Sequence, residues 1–265
     1  WRVGTLFVMY AACFGVELAI NNSMTSYLYR RFTTDEVING TNCATDPYDE
    51  DGIFVADCSV LGKNLASTVA ALFGLQNLYA RALGGLFSDR LNRTMHMRGR
   101  LIAQFSCLAF EGVMLIVFSR ITSLGPAIFF LVMFSIGVQM SEGTTYGIVP
   151  FVRTNVGAVA GIVGAGGNVG AVLWSTMFRE IDNTSDAYMY LGIIVLVTSL
   201  LSFVINVNGT GILYGPNEPL GSGDEEDNSD PGSEATSDDV CKETSFSTAP
   251  GSANSGAEPS AVGTV

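Results

Sequence analysis

Residues 126–149 read PAIFFLVMFSIGVQMSEGTTYGIV, a run of 24 positions with one charge, Glu142. A bilayer core is crossed by ~20 consecutive, mostly apolar residues in helical form, so this run predicts a membrane-spanning helix. Its only proline, Pro126, stands at the first position, where a helix tolerates it. Five more runs of this kind lie at about 3–29, 65–87, 101–119, 158–178 and 187–207, each bounded by charged, Gly- or Pro-bearing turns. Lipid offers no partner to an open backbone, so the runs must close their hydrogen bonds internally as helices. A soluble all-α protein would need helices with long polar faces, and these have almost none. The expected fold is an all-α membrane protein, with a six-helix bundle over residues 1–210.

Composition divides the chain in two. The whole is 48% hydrophobic with a net charge of −12. Residues 211–265 hold eleven acids against one base, Lys242, so −10 belongs to the tail and only −2 to the body. A tail rich in Gly, Ser, Asp, Glu and Pro buries too little apolar surface to offset its ordering entropy, and it reads as a disordered, solvated terminus. The chain opens at Trp1 with no signal peptide ahead of the first run, which reads as a fragment of a longer protein. Of the five cysteines, Cys13 and Cys107 lie in apolar runs and read as buried thiols. Cys43 and Cys58 bracket an acidic loop and can pair if it faces an oxidising space. There is one histidine, His96, and no Cys-x-x-Cys, so neither a metal site nor a cofactor is expected. No nucleophile–base pair stands out either; an enzyme is the least favoured class, and no nucleic-acid partner is expected.

Loop charges set the orientation. Residues 89–100, read as the loop between the second and third runs, hold four arginines, whereas residues 33–60 hold seven acids and no Lys or Arg. The positive-inside rule places the arginine-rich loop, the N-terminus and the tail in the cytoplasm, and the loop with Cys43 and Cys58 outside. Arg30, Arg31, Lys63, Arg120 and Arg179 fall on the external side against that trend. External placement also makes Asn39-Gly40-Thr41 a glycosylation candidate.

Charges at membrane depth cost ~2.5–3.5 kcal/mol each on insertion scales and normally face a cavity or a partner. Four occur here: Glu17, Arg81, Glu111 and Glu142. In the second run Gly74, Asn77, Arg81, Gly84 and Ser88 recur at helical steps; in the fourth, Ser135, Gln139, Glu142 and Tyr146 do so. Tyr10, Glu17 and Asn21 share a face of the first, and Gly157, Gly161, Gly164, Asn168 and Ala171 share one of the fifth. Each stripe alone reads as helix–helix packing. Four in one bundle favour a shared polar interior and a permeation path. Glu111 stands apart and reads as structural. Arg81 keeps its charge when buried, and its planar fork suits flat oxyanions; the competing reading is an internal ion pair with Glu142 or Glu17.

Two motifs then resemble a known family. Gly85-Leu86-Phe87-Ser88-Asp89-Arg90, with Arg93, resembles the loop motif of the major facilitator superfamily. Gly161-Ile162-Val163-Gly164-Ala165-Gly166-Gly167-Asn168-Val169-Gly170-Ala171-Val172-Leu173 resembles the nitrate signature of the nitrate/nitrite porter family. Phe14-Gly15-Val16-Glu17-Leu18, Ala80-Arg81-Ala82-Leu83-Gly84-Gly85 and Glu142-Gly143-Thr144-Thr145-Tyr146-Gly147-Ile148-Val149-Pro150-Phe151-Val152 match it in order. The resemblance covers about residues 1–207, and in three places the chain departs from the pattern: Asn21-Asn22 stands for Asp-Asn, Trp174-Ser175 for Thr-Gln, and the external loop at 33–60 is longer than the family's.

The resemblance implies the C-terminal half, spans seven to twelve, of a twelve-helix plasma-membrane transporter. It would import nitrate, or nitrite, with protons by alternating access, between this half and an N-terminal six-helix half. Arg81 would bind the anion, with Gly166, Gly167 and Asn168 allowing close approach and donating from amides. Asn21 and Asn77 would line the path, and Glu17 or Glu142 would take the coupled proton. Relatives often need a small single-span accessory protein. Two other readings remain open: a transporter of another small anion, such as formate or phosphate, and a receptor or scaffold signalling through the tail.

Overall fold

A computed structural model describes residues 1–215 apart from Asn39, Glu50, Asn208 and Tyr214. The glycosylation candidate at Asn39, Cys241 and nearly all of the acidic tail therefore lie outside the described residues. The first apolar run forms two helices, α1 (Arg2–Ala11) and α2 (Phe14–Arg31), separated by a turn at Ala12 and Cys13. The Cys13 thiol lies 3.6 Å from the Tyr10 carbonyl, which also accepts the Cys13 N–H at 3.3 Å.

The connection that follows carries a two-stranded hairpin, β1 (Val37–Ile38) with β2 (Thr41–Asn42), turning through Gly40 at φ +85. That φ suits a residue without a Cβ. Cys43 and Cys58 form a disulfide across a Cα separation of 5.2 Å. Phe54 packs on Tyr29, with ring centroids 5.0 Å apart, and so fastens the loop to the last turns of α2.

The second run begins as α3 (Gly62–Leu75), passes through a 3-10 turn at Gln76–Leu78 and resumes as α4 (Ala80–Arg120). Residues 89–100, expected as a loop, are instead helical except at His96, whose φ of 50 and ψ of −139 interrupt α4. The chain reverses there. Arg100 pairs with Asp89 at 2.8 Å, whereas eleven residues of straight helix would set them about 16 Å apart. A Cβ on Gly99 would run into the Leu91 carbonyl, so the two arms of α4 meet backbone to backbone. The remaining helices are α5 (Leu124–Ile148), α6 (Val156–Glu180), α7 (Thr184–Ser199) and the short α8 (Leu201–Val204).

Among the described residues five helical stretches are long and apolar enough to cross a membrane: Arg2–Arg31, Gly62–Arg120, Leu124–Phe151, Val156–Glu180 and Thr184–Val204. The sequence predicts six because it separates 65–87 from 101–119, and both fall in the one 59-residue stretch that reverses at His96. Large apolar side chains such as Leu78, Leu86, Phe129, Val172 and Leu173 are exposed, which suits a surface bathed in lipid rather than water. The chain is a multi-pass membrane protein.

Small residues set how closely the helices pack. Gly84 of α4 lies against the Met140 backbone and Gly143 of α5 against the Arg81 carbonyl, leaving no room for a Cβ at either. A Cβ on Gly15 would stand 2.8 Å from Gly170 Cα, where α2 crosses α6. One end of the core is aromatic: Phe134 packs against Phe73 and Phe118 at 5.3 and 5.1 Å, and Tyr27 against Tyr188 at 4.7 Å.

Candidate functional site

Two helix breaks point at one place. Glu17 lies in the first turn of α2, just past the Ala12–Cys13 turn, and Arg81 in the first turn of α4, just past the Gln76–Leu78 turn. Broken helices are tolerated at membrane depth where they line a cavity or a site. The close Gly84/Gly143 crossing brings α5 alongside and with it Glu142.

The Arg81 guanidinium is held from two sides. Its Nη2 lies 3.1 Å from Glu17 Oε2, forms an ion pair with Glu142, and donates to Gln139 Oε1 at 3.5 Å. Asn77 Nδ2 donates to the other Glu17 oxygen at 3.2 Å. The Phe14 ring sits under the guanidinium, 5.9 Å from centroid to Cζ, and Phe14 in turn stacks on Tyr10 at 5.3 Å. The internal ion pair weighed for Arg81 is thus formed, and with both candidate carboxylates.

The pairing leaves part of the arginine free. Its side chain is 36% exposed, while those of Glu17 and Glu142 are 6% and 0% exposed. Arg81 Nε and Gln139 Nε2 are buried donors with no hydrogen-bond partner. An unmet buried donor costs roughly 1–3 kcal/mol, so two beside one arginine form a place ready for an acceptor. If both glutamates are ionised, the three charges sum to −1. An added anion would then need one carboxylate to leave the guanidinium or to take a proton.

A second polar layer lies behind the first. Thr144 and Thr145 of α5 donate to Gln104 Oε1 at 2.7 and 3.2 Å, and Cys13 Sγ is 4.0 Å from Thr145 Oγ1. Gln104, Cys107 and Glu111 occupy one face of the second arm of α4, and all three are buried. This layer joins α1–α2, α4 and α5 around the site. Gln139, Phe14 and Gln104 are the side chains that sequence reasoning did not single out as site residues. Gln139 left a signal, three positions before Glu142 on the same face, and Phe14 opens a segment that matches the family pattern; Gln104 left none.

The other expected residues are placed elsewhere. Gly166 packs against Phe7 and Gly167 against Phe14, inside α6, where their amides belong to the helix. Asn168 is exposed, and Gly157 and Gly161 have open space where a Cβ would stand. The α6 packing seam is therefore Val163, Gly166, Gly167 and Gly170, and the stripe through Gly157, Gly161 and Asn168 points away from it. Asn21 is exposed, its Oδ1 3.9 Å from a Cβ built on Gly74. In the loop motif, Asp89 pairs with Arg100, Gly85 packs near Gly143, and Arg90 and Arg93 are exposed. Arg100 also covers the Phe151 ring at 5.0 Å, tying the reversal to the end of α5.

The chain is 38% identical to the high affinity nitrate transporter 2.5 of Arabidopsis thaliana, over 64% of its own length and 28% of the relative's. It is 32% identical to the high affinity nitrate transporter 2.7 of that plant, over 81% of the chain and 37% of the relative. Identity to the nitrate transporter 2.1 of Chlamydomonas reinhardtii is also 32%, over 82% and 37%. These alignments span between 28% and 37% of each relative. No protein-family profile matches the chain. No solved structure matches it.

Proposed function

The chain belongs to the nitrate/nitrite porter family, and on that premise we propose that it forms one half of a nitrate importer, with Arg81 as the anion ligand. The half comprises spans seven to twelve, α4 crossing the membrane twice through its reversal at His96. Transport of nitrate, and of nitrite, would proceed with protons across the plasma membrane, the arginine-rich reversal of α4 and the tail facing the cytoplasm. The observation that carries this reading is the partly exposed Arg81 beside the unmet Nε2 donor of Gln139.

Chemistry fits the ligand. Nitrate is flat, monovalent and rich in acceptors, and a guanidinium is a flat fork of donors. To reach it, nitrate displaces a carboxylate that already holds Arg81. A proton taken up by the displaced Glu17 or Glu142 keeps the local charge unchanged, so anion and proton enter together. The exposed Gly157, Gly161 and Asn168 face of α6 would then meet the N-terminal six-helix half, which closes the site. Rocking of the two halves about the broken helices supplies alternating access.

The test is Arg81→Lys in the full-length protein, expressed in a host without nitrate uptake. Lysine keeps the charge and loses the fork, and one lost charge-assisted hydrogen bond of ~1.5–3 kcal/mol weakens binding by roughly tenfold or more. Uptake at low nitrate should fall accordingly at equal membrane abundance. Native uptake by the variant would overturn the assignment.

A further inference from the structure

Three of the arginines that sit against the charge bias of the loops converge on one cleft. At the end of the bundle that carries the disulfide loop, α2, α6 and the start of α7 enclose about 580 Å³. Arg30 and Arg31 come from the last turn of α2 and Arg179 from the last turn of α6. A helix C-terminus favours a cation, which accounts for each arginine singly but not for their meeting. Among the described residues none of the three forms an ion pair, and the wall holds one carboxylate, Asp182.

Two buried donors on these walls are also unmet: the Tyr27 hydroxyl, on a residue 4% exposed, and Arg31 Nε. A cleft with excess positive charge and orphaned donors suits an oxyanion. It is not the Arg81 site, because thirteen residues of helix, about 20 Å, separate Glu17 from Arg30 on α2.

We propose that this cleft is a second oxyanion-binding site, separate from Arg81, open at the disulfide end of the bundle. Its ligand is a small free oxyanion or the phosphate of a lipid headgroup. Only the choice of nitrate as first probe rests on the functional reading above. A soluble anion held here would be concentrated at the mouth of the transporter; a lipid phosphate would anchor α2 and α6 in the membrane.

Phenylglyoxal modification of arginine, read residue by residue by peptide mass spectrometry, separates these cases without altering the protein. The full-length protein is labelled in maltoside micelles at constant ionic strength set with gluconate. Arg30 and Arg179 are both exposed, so they are reactive when the cleft is empty, and exposed Arg90 and Arg93 serve as controls. If nitrate binds, labelling of Arg30 and Arg179 slows by roughly threefold at twice the dissociation constant, while the controls are unchanged. Slowing by added phosphatidylglycerol but not by nitrate assigns the site to a lipid phosphate. Unchanged labelling with both probes overturns the proposal. Arg81 is read in the same digest: protection there without protection at Arg30 and Arg179 leaves the anion-site reading standing and this one fallen, and the reverse pattern does the opposite.

Discussion

At the scale of the residue, everything turns on how Arg81 shares its charge. One guanidinium faces two carboxylates, and a buried pair that loses one partner leaves a costly unpaired charge. Glu142→Gln removes a carboxylate and keeps the shape. If Glu142 is the proton carrier, nitrate uptake by the native protein rises on acidification and uptake by this variant does not. Uptake that responds to pH as the native protein does would move the role to Glu17, and Glu17→Gln would then give the flat profile. The helical spacing of Asn77, Arg81 and Ser88, and of Gln139 and Glu142, makes the polar faces readable from sequence. Which side chains on those faces meet is not readable that way. The choice between Glu17 and Glu142 depends on two helix breaks and a glycine crossing, and spacing along one helix carries no information about its neighbours.

At the scale of the element, glycine position decides the approach of α4 to α5. An Ala at Gly143 would press its Cβ into the Arg81 carbonyl, whereas one at exposed Gly125 of α5 meets nothing within 4 Å. Gly143→Ala should therefore cost about 1–3 kcal/mol and lower the thermal unfolding midpoint in detergent. Gly125→Ala should leave that midpoint unchanged or raise it slightly, since alanine favours helix over glycine. Equal midpoints for the two variants would show that the crossing is not close. The sequence shows that α6 has a glycine seam but not which seam is packed. Gly157–Gly161–Gly164 and Gly166–Gly167–Gly170 both run at helical spacing, and only contact with Phe7, Phe14 and Ala11 separates them. The reversal at His96 was hidden for a related reason. Its arginines read as a loop, yet arginine is a good helix former, and the chain needs only one non-helical residue to turn.

At the scale of the molecule, the apolar runs were legible because lipid allows so few backbone solutions. The reversal in α4 predicts that the His96 end and the disulfide end lie on opposite faces of the membrane. A cysteine at exposed Thr94 should react with an impermeant maleimide only after the cells are opened, and one at exposed Asp51 in intact cells. Labelling of both from one side would break the crossing pattern. Sharing of the Arg81 cluster by nitrate and a proton is tested directly by calorimetry. Nitrate is titrated into the purified full-length protein in buffers of different ionisation enthalpy, which counts the protons exchanged on binding. The expected result is uptake of up to about one proton per nitrate bound, with binding weakened roughly tenfold or more in Arg81→Lys. Binding that takes up no proton and is as tight in Arg81→Lys as in the native protein would contradict it.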